Sequence, residues 1–390
     1  MRILITTDWY KPVVNGVVTS VVNLANGLEA AGNEVRILTL SGSLRSYCSE
    51  NVTYIGSISV GAVYPCARMK MALSDRLVRE LAAWKPDIVH SQCEFSTFFL
   101  AKRIAQECGA PLVHTYHTVY EDFTHYFSPS VRFGRLMAAA FSKKILAFVQ
   151  AVIVPTQKIE TMLKGYGISQ PIAVIPSGLA LEQFQIRMSE VERNRARSRL
   201  GFDKNDQVLL FLGRLAQEKN LEELFALLAH QNRRVKLLLV GDGPYRERLL
   251  EAAHTLHVDD RVVFAGMVRQ EEVARYYALG DVFVSASQSE TQGLTYMEAM
   301  AAGLPLLCRD DPCLAQVIQD SVNGCLYRNE NEFREKLELL LGDERLRCAM
   351  ATAAKGTVFR RFSAEGFAAN VLAEYSRQIG LAEAVRATAA

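Results

Sequence analysis

Two glutamates eight residues apart, Glu290 and Glu298, are the clearest candidates for chemistry in this sequence. They follow an apolar strand at 281–285, and Gly293 between them predicts a tight turn into a helix that ends at Gly303. Glu290 then lies on the loop before the helix and Glu298 about one turn inside it. Each carboxylate can accept hydrogen bonds from neighbouring ribose or sugar hydroxyls. The alternative is a surface helix with two solvated glutamates, and the surrounding strand, glycine turn and A-x-x-x-G-L-P sequence count against it.

Groups that can bind phosphate occur beside these glutamates. The backbone N–H groups of Gly293, Leu294 and Thr295 would point out of the helix start and favour an anion. Arg214 follows another strand, and Lys219 comes five residues later. An arginine can hold a diphosphate through two N–H groups and a lysine can hold it as a point charge, although the two can also form an ordinary surface pair.

Weaker candidates lie at other strand ends. Gly16 lies in the loop after the first strand, where a glycine lets the backbone approach a phosphate, and Gly213 precedes Arg214. His117 also follows a strand and is placed to contact a sugar hydroxyl or a phosphate, although a lone histidine is more often structural. The segment 90–95 has the same placement. No Asp-x-Asp pair occurs, so we expect arginine and lysine to take the place of a metal ion.

The length of 390 residues predicts two domains, and the hydrophobic content of 49% is typical of a globular protein. The eight cysteines form no Cys-x-x-Cys pair, and the first residues read as a strand rather than as a signal peptide. No apolar run is long enough to predict a transmembrane helix. We therefore expect a cytoplasmic protein with free thiols.

Strand and helix alternate along the chain, which is typical of an α/β fold with parallel sheets covered by helices. One series runs to residue 178, and a second begins near residue 207. The pattern predicts two Rossmann-like domains, 1–178 and 179–363, with residues 364–390 packing back on the first. Two such domains facing each other would bind ligands in a cleft beyond the carboxyl ends of their strands.

These features resemble the retaining glycosyltransferases of family 4, which have the GT-B fold of two Rossmann-like domains facing a central cleft. The resemblance covers essentially the whole chain and includes an E-x7-E pattern and a G-R-x4-K pattern. It implies transfer of a sugar from a nucleotide sugar with retained anomeric configuration, with no metal and no other cofactor. The implied roles are Glu290 on the donor sugar, Glu298 on the ribose, Gly213, Arg214 and Lys219 at the diphosphate, Gly16 approaching that diphosphate, His117 beside the sugar, and the backbone of Met267 and Val268 at the base.

Within that family, the segments 87–96, 115–118 and 289–314 are most similar to bacterial 1,2-diacylglycerol 3-alpha-glucosyltransferases. This similarity implies transfer of glucose from UDP-glucose to diacylglycerol, which forms an α-glycolipid. Phosphatidylinositol, a polyprenol-linked sugar and a soluble sugar stay open as alternative acceptors. The chain departs from its relatives at 147–150, where an acidic residue is often found.

A basic stretch supports a lipid acceptor. Residues 127–148 contain several aromatic side chains and no acidic residue, and on a helix they would be amphipathic and could lie on an anionic membrane surface. Its basic residues are Arg132, Arg135, Lys143 and Lys144, and a nearby set that could extend it is Arg68, Met69, Lys70 and Met71. The alternative is a buried helix with charged edges. We expect peripheral association with the inner face of the cell membrane.

Other functions stay open from the sequence alone. A sugar-nucleotide epimerase of the same fold would need a further set of carboxylates, and none is evident. A non-catalytic nucleotide-binding partner would not need the complete set of charged motif residues. Residues 1–178 hold 17 basic and 12 acidic residues and the rest holds 27 and 30, so nucleic-acid binding is not expected. No carboxylate is clearly placed as a covalent nucleophile, which favours attack on the same face as the leaving phosphate.

Overall fold

The computed structural model describes residues 1–13, 15–60, 68–70, 75–121, 130–186 and 188–389. The chain divides into two compact units, Met1–Leu179 with Ala364–Ala390, and Ala180–Ser363. Each unit is built on a mostly or wholly parallel sheet covered by helices, so the expected α/β class with two Rossmann-like sheets is confirmed.

The first unit contains an eight-stranded sheet whose described strands pair in parallel, except for one antiparallel pair at one edge. Its order is β10-β9-β8-β7-β1-β2-β4-β3, and the chain changes direction across the sheet between β1 and β7. The strands are β1 Arg2–Thr6, β2 Glu34–Leu40, β3 Tyr47–Ser49, β4 Val52–Ile55, β7 Ile88–Ser91, β8 Leu112–Thr115, β9 Ala151–Val154 and β10 Ile172–Val174, with a separate two-stranded sheet of β5 Ile58–Ser59 and β6 Arg68–Met69.

The described helices of the first unit include one from the end of the chain. They are α1 Gly16–Ala30, α2 Arg76–Ala83, α3 Ser96–Cys108, α4 Val131–Leu146, α5 Gln157–Gly165 and α13 Ala364–Ala389. Asn15 begins α1 by accepting a hydrogen bond from the N–H of Val18 at 2.9 Å. Gly27 lets α13 approach α1, because a Cβ at this position would lie 2.7 Å from the Cβ of Ala368. The C-terminal helix is thus part of the first unit's core, to which it contributes Phe367 and Tyr375.

The second unit contains a six-stranded, fully parallel sheet in the order β13-β12-β11-β14-β15-β16. This is the Rossmann order, and its switch point lies between β11 and β14. The strands are β11 Gln207–Leu212, β12 Val235–Val240, β13 Val262–Gly266, β14 Val282–Ser285, β15 Leu306–Arg309 and β16 Cys325–Tyr327. Leu209, Leu237 and Val284 bury their side chains in one continuous core with the covering helices.

Seven α-helices cover the described part of this second sheet. They are α6 Glu190–Arg199, α7 Leu221–Ala229, α8 Arg246–Thr255, α9 Val273–Tyr277, α10 Leu294–Ala302, α11 Glu330–Gly342 and α12 Glu344–Arg361. Arg193 and Arg197, one turn apart on α6, both form ion pairs with Asp281 and so attach this helix to the start of β14. Among the described residues, no helix is long and apolar enough to cross a membrane.

Candidate functional site

The switch point of the second sheet joins residues that lie far apart in sequence. The loop after β11 carries Arg214 and Lys219, and the loop after β14 carries Glu290. Because β11 and β14 are neighbours, these loops meet, and the ammonium of Lys219 donates to Oε1 of Glu290 at 2.6 Å. Both side chains are largely shielded, with exposed fractions of 20% and 16%. One contact therefore joins the G-R-x4-K pattern to the first glutamate of the E-x7-E pattern.

Glu218, which the sequence analysis missed, links the same two loops. Its Oε1 accepts a hydrogen bond from Nη2 of Arg214 at 2.6 Å, and its backbone oxygen accepts one from the hydroxyl of Ser289 at 3.0 Å. The guanidinium is thus oriented by a carboxylate four residues further along the chain. The four-residue spacing of Arg214 and Glu218 was visible in the sequence. Oppositely charged residues at this spacing are too common, however, to indicate a functional role.

Two glycines after β12 shape the Arg214 loop. A Cβ at Gly241 would lie 2.0 Å from the carbonyl oxygen of Gly213, and one at Gly243 would lie 2.2 Å from that of Leu215. Gly241 also has a φ of +131°. The N–H of Leu215 donates to the oxygen of Asp242 at 3.0 Å, which fixes the two turns together. The Gly-x-Gly turn thus packs against the Arg214 loop and holds its backbone in place.

The start of α10 has the geometry expected from its sequence. Gly293 has a φ of +73°, and a Cβ there would lie 2.2 Å from the ring of Tyr296, so this position requires glycine. Among the residues that the structure describes, none caps the helix start with its side chain. The N–H groups of Leu294 and Thr295 have no carbonyl partner within the helix, whereas that of Tyr296 donates to the oxygen of Gly293 at 3.1 Å. An anion placed here would receive these hydrogen bonds and benefit from the helix dipole.

Glu298 is buried rather than solvated, with 6% of its surface exposed. The hydroxyl of Tyr277 donates to its Oε2 at 2.7 Å. Burial raises the pKa of Glu298 to about 7, and the Tyr277 hydrogen bond only partly opposes this rise. The carboxyl group is therefore poised between its neutral and charged forms near neutral pH.

Met267 and Val268 directly follow β13, the edge strand beside β12. Gly266 precedes them with a φ of +75°, and its carbonyl oxygen accepts a hydrogen bond from the N–H of Gly241 at 2.9 Å. Met267 is exposed. The segment thus lies at the carboxyl edge of the sheet, as do the loops after β11, β12 and β14.

The first unit has its own polar cluster at the switch point between β1 and β7. Gly16 is the first residue of α1, and His117 follows β8. Nε2 of His117 hydrogen-bonds Oε1 of Gln92 at 2.7 Å. Burial lowers the pKa of His117 to about 4, so the ring is neutral at neutral pH. His117 is thus held by a side chain from the segment 90–95 that the sequence had also singled out.

Two buried carboxyl groups accompany this cluster: Glu94, which the sequence indicated only as part of the segment 90–95, and Asp8, which it did not indicate. Glu94 accepts a hydrogen bond from the hydroxyl of Tyr120 at 2.7 Å and lies 3.3 Å from Nε2 of His114. Asp8, after β1, accepts the N–H of Thr97 at 2.9 Å in the first turn of α3. Burial raises the pKa of Asp8 to about 6. Their only sequence signal was their position directly after strands.

The basic stretch forms α4, which begins after Ser130. Phe133 and Leu136 expose 58% and 68% of their surface, Met137 is also exposed, and Arg132 lies beside them. We call these four residues the α4 face. Arg135 instead forms an ion pair with Glu121 at 3.0 Å. Residues 127–129 and Met71, which also entered the membrane prediction, lie outside the described residues.

Comparison with known proteins identifies the class to which this fold and these strand-end loops belong. Residues 192–357 match the family model described as glycosyl transferases group 1, and residues 14–183 match the model described as glycosyltransferase family 4. The chain belongs to glycosyltransferase family 4 and is a hexosyltransferase of the GT-B fold.

Two curated relatives and one solved structure are informative. The chain is 35% identical to an alpha-monoglucosyldiacylglycerol synthase of Streptococcus pneumoniae, over 85% of this chain and 76% of that protein. It is 34% identical to a protein of the same name from Acholeplasma laidlawii, over 85% and 86% of the two chains. The Anabaena protein HepE, solved with UDP and glucose, superposes with a TM-score of 0.76 at 19% identity, covering 97% of this chain and all of that one.

Proposed function

We propose that this glycosyltransferase transfers glucose from UDP-glucose to the free hydroxyl of diacylglycerol, with retention of configuration and without a metal ion. The observation that carries the proposal is the identity of about a third to two relatives named alpha-monoglucosyldiacylglycerol synthase, which extends through both units. The HepE structures with UDP and glucose, and with UDP-glucose, support a UDP-sugar donor for the shared fold.

The second unit supplies the positive groups for the donor diphosphate. Arg214 and Lys219 bind its oxygens, and the N–H groups of Gly293, Leu294 and Thr295 donate to the same anion. Negative charge develops on the diphosphate as the bond to the sugar breaks. Cations and helix N–H groups fixed in place before the reaction stabilise that charge without reorganisation.

Glu290 and Glu298 hold hydroxyl groups of the donor. Glu290 binds the sugar, and its contact with Lys219 couples sugar binding to diphosphate binding. Glu298 binds the ribose, and the buried carboxyl loses its proton when two hydroxyls replace water as partners. The backbone of Met267 and Val268 binds the base.

Contributions of Gly16 to diphosphate binding and of His117 to sugar binding, which the family resemblance implies, are part of the same proposal. The acceptor hydroxyl attacks on the face that the phosphate leaves, and the leaving phosphate takes its proton. Neither Glu290, engaged with Lys219, nor Glu298, buried against Tyr277, is given the role of a covalent nucleophile.

The α4 face supports the choice of a lipid acceptor. Phe133, Leu136 and Met137 recur at helical spacing on one side of α4, with Arg132 beside them. Apolar side chains with adjacent positive charge suit the boundary between acyl chains and anionic headgroups. We propose that α4 rests on the membrane from which diacylglycerol is taken.

To test the proposal, the protein is incubated with UDP- and GDP-sugars in turn, each with diacylglycerol, phosphatidylinositol or a soluble sugar as the acceptor. The products are then identified by mass spectrometry. We expect a mass increase of one hexose on diacylglycerol with UDP-glucose, unchanged by EDTA. A product only on another acceptor would replace the lipid assignment. Strong inhibition by EDTA would contradict metal independence.

A further inference from the structure

A chain of hydrogen bonds runs through the first unit from its C-terminal helix to His117. The hydroxyl of Tyr375 on α13 lies 2.6 Å from Nδ1 of His90, and Nε2 of His90 lies 2.7 Å from the hydroxyl of Thr115. The amide nitrogen of Gln92 lies 3.2 and 3.1 Å from the same two ring nitrogens. Its amide oxygen lies 2.7 Å from Nε2 of His117.

The last contact determines where His117 carries its proton. An amide oxygen can only accept a hydrogen bond, so Nε2 of His117 must be the donor. With a pKa lowered to about 4, the ring has one proton at neutral pH, and that proton is already on Nε2. Nδ1 therefore has a free lone pair. Among the described residues, Nδ1 of His117 takes part in no hydrogen bond.

Burial, rather than the charges around the ring, favours this neutral state. Among the described residues, the ionisable groups facing His117 are Glu94 and His90 from the end of β7 and His114 from β8. Burial is the largest cause of the lowered pKa and His114 adds to it, whereas the negative charge of Glu94 opposes it. His90 is held neutral by its own burial.

We propose that Gln92 is a positioning residue that holds His117 as the Nε2–H tautomer, so that Nδ1 accepts a hydrogen bond from a substrate hydroxyl. The inference rests on the proposed function, because the hydroxyl is assigned to a substrate of the proposed sugar transfer. It also decides between the two ligands that the sequence left open for His117. A lone pair repels a phosphate oxygen and attracts a hydroxyl proton, so the ligand is a hydroxyl.

Gln92 is itself oriented by its contact with the ring of His90. His90 has one nitrogen that can accept from the Gln92 amide, and the hydroxyls of Tyr375 and Thr115 fix the plane of its ring. Rotating the Gln92 amide by half a turn would place its oxygen against His90 and its N–H group against Nε2 of His117, and would select the opposite tautomer. The C-terminal helix therefore contributes to substrate recognition through Tyr375.

The tautomer can be measured without substrate. In the full-length protein with nitrogen-15 in its histidine rings, we expect the His117 signals at neutral pH to be those of a ring protonated at Nε2 only. In Gln92→Glu, the carboxylate should raise the pKa of His117, so the ring becomes doubly protonated at a pH where the wild type is neutral. Gln92→Leu should relax the tautomer preference. Gln106→Leu, the same change at an exposed glutamine of α3, should leave both properties unchanged.

Activity provides a second readout. As the pH is lowered, kcat/KM of Gln92→Glu should begin to fall at a higher pH than that of the wild type. The reason is that a protonated Nδ1 of His117 cannot accept a hydrogen bond from a hydroxyl. Gln92→Leu should lower kcat/KM about tenfold, which corresponds to one hydrogen bond. Replacing UDP-glucose by analogues that each lack one sugar hydroxyl should remove the penalty of His117→Ala for one analogue only.

The outcomes separate the two proposals. An Nδ1–H tautomer in the wild type, or a Gln92→Leu protein with unchanged ring signals, would overturn the positioning role whatever the enzyme's substrates are. The predicted signals without any glucosylated lipid would support the positioning role and refute the proposed reaction. Equal penalties of His117→Ala for every deoxy substrate would overturn the hydroxyl contact.

Discussion

Lys219 and Glu290 meet although 71 residues separate them, and their contact lies where the leaving diphosphate is proposed to bind. We expect Lys219→Ala and Arg214→Ala each to lower kcat about 10²- to 10³-fold, because a fixed positive group opposite the developing charge is lost. Steady-state rates with UDP-glucose and diacylglycerol measure this effect. Lys204→Ala, at an exposed lysine of the same unit, serves as the control. A loss of less than threefold in both site variants would remove them from the mechanism.

Glu298 gives a prediction about stability and pH. Its pKa rises from 4.5 to about 7 on folding, so the folded state binds more protons between these values and stability falls as pH rises through this window. The total loss is on the order of 3 kcal/mol. Glu298→Gln cannot ionise and should avoid this loss.

The measurement is the melting temperature without ligand at pH 5 and pH 8. We expect the wild type to lose stability relative to Glu298→Gln as the pH rises, because the buried carboxyl must ionise. Glu338→Gln, at an exposed glutamate of α11, should show no such difference. Parallel pH curves for wild type and Glu298→Gln would show that this carboxyl titrates normally.

Among the structural elements, the Gly-x-Gly turn after β12 packs directly against the Arg214 loop, so a substitution there should affect this loop most specifically. In Gly241→Ala the new Cβ would meet the oxygen of Gly213 at 2.0 Å, in a backbone conformation that alanine rarely adopts. We expect a loss of at least about 2 kcal/mol in unfolding free energy and weaker UDP binding, because the Arg214 loop must move. Denaturant unfolding and calorimetric titration measure the two effects.

Gly342, the last residue of α11, is the matched control. A Cβ there meets nothing within 4 Å, and its φ is not positive. Gly342→Ala should leave stability unchanged or raise it by up to about 1 kcal/mol, because alanine has the higher helix propensity. If Gly241→Ala behaved like this control, the turn would have no supporting role.

Helix α4 makes the membrane proposal testable. We expect the protein to sediment with phosphatidylglycerol vesicles, less with phosphatidylcholine vesicles and less at high salt. The double variant Phe133→Ser and Leu136→Ser should bind several-fold more weakly, because it loses exposed apolar area from the α4 face. Val191→Ser with Leu339→Ser removes two exposed apolar side chains from the second unit and should bind as the wild type does. Binding that ignores charge, salt and these residues would contradict the assignment.

The sequence predicted long elements better than short ones. It predicts a helix over 221–229 and a strand over 235–240, and α7 and β12 have these bounds, since an apolar run between turn signals marks such elements clearly. It missed β3 and β16, which have three residues each and are too short to show periodicity. It also predicts a last helix over about 364–380, whereas α13 continues to Ala389 through residues of high helix propensity.

For the whole molecule, alternation of strand and helix predicted two Rossmann-like sheets, but not the order of their strands. That order brings the β11 and β14 loops together and so creates the Lys219–Glu290 contact. The charged motif residues were found from their types and spacing. Their partners Glu218 and Tyr277 were given no role, and Gln92 was indicated only as part of the segment 90–95, because a tertiary contact between distant loops leaves no periodic pattern in the sequence.

The reaction itself gives the most direct test. UDP-glucose isotopically labelled at the anomeric carbon is incubated with diacylglycerol vesicles and the protein, and the lipid product is examined by NMR. We expect one labelled glucose on the free hydroxyl of diacylglycerol, in the α configuration of the donor. A β-linked product, or label released only as free glucose while another acceptor supports turnover, would contradict the proposed reaction.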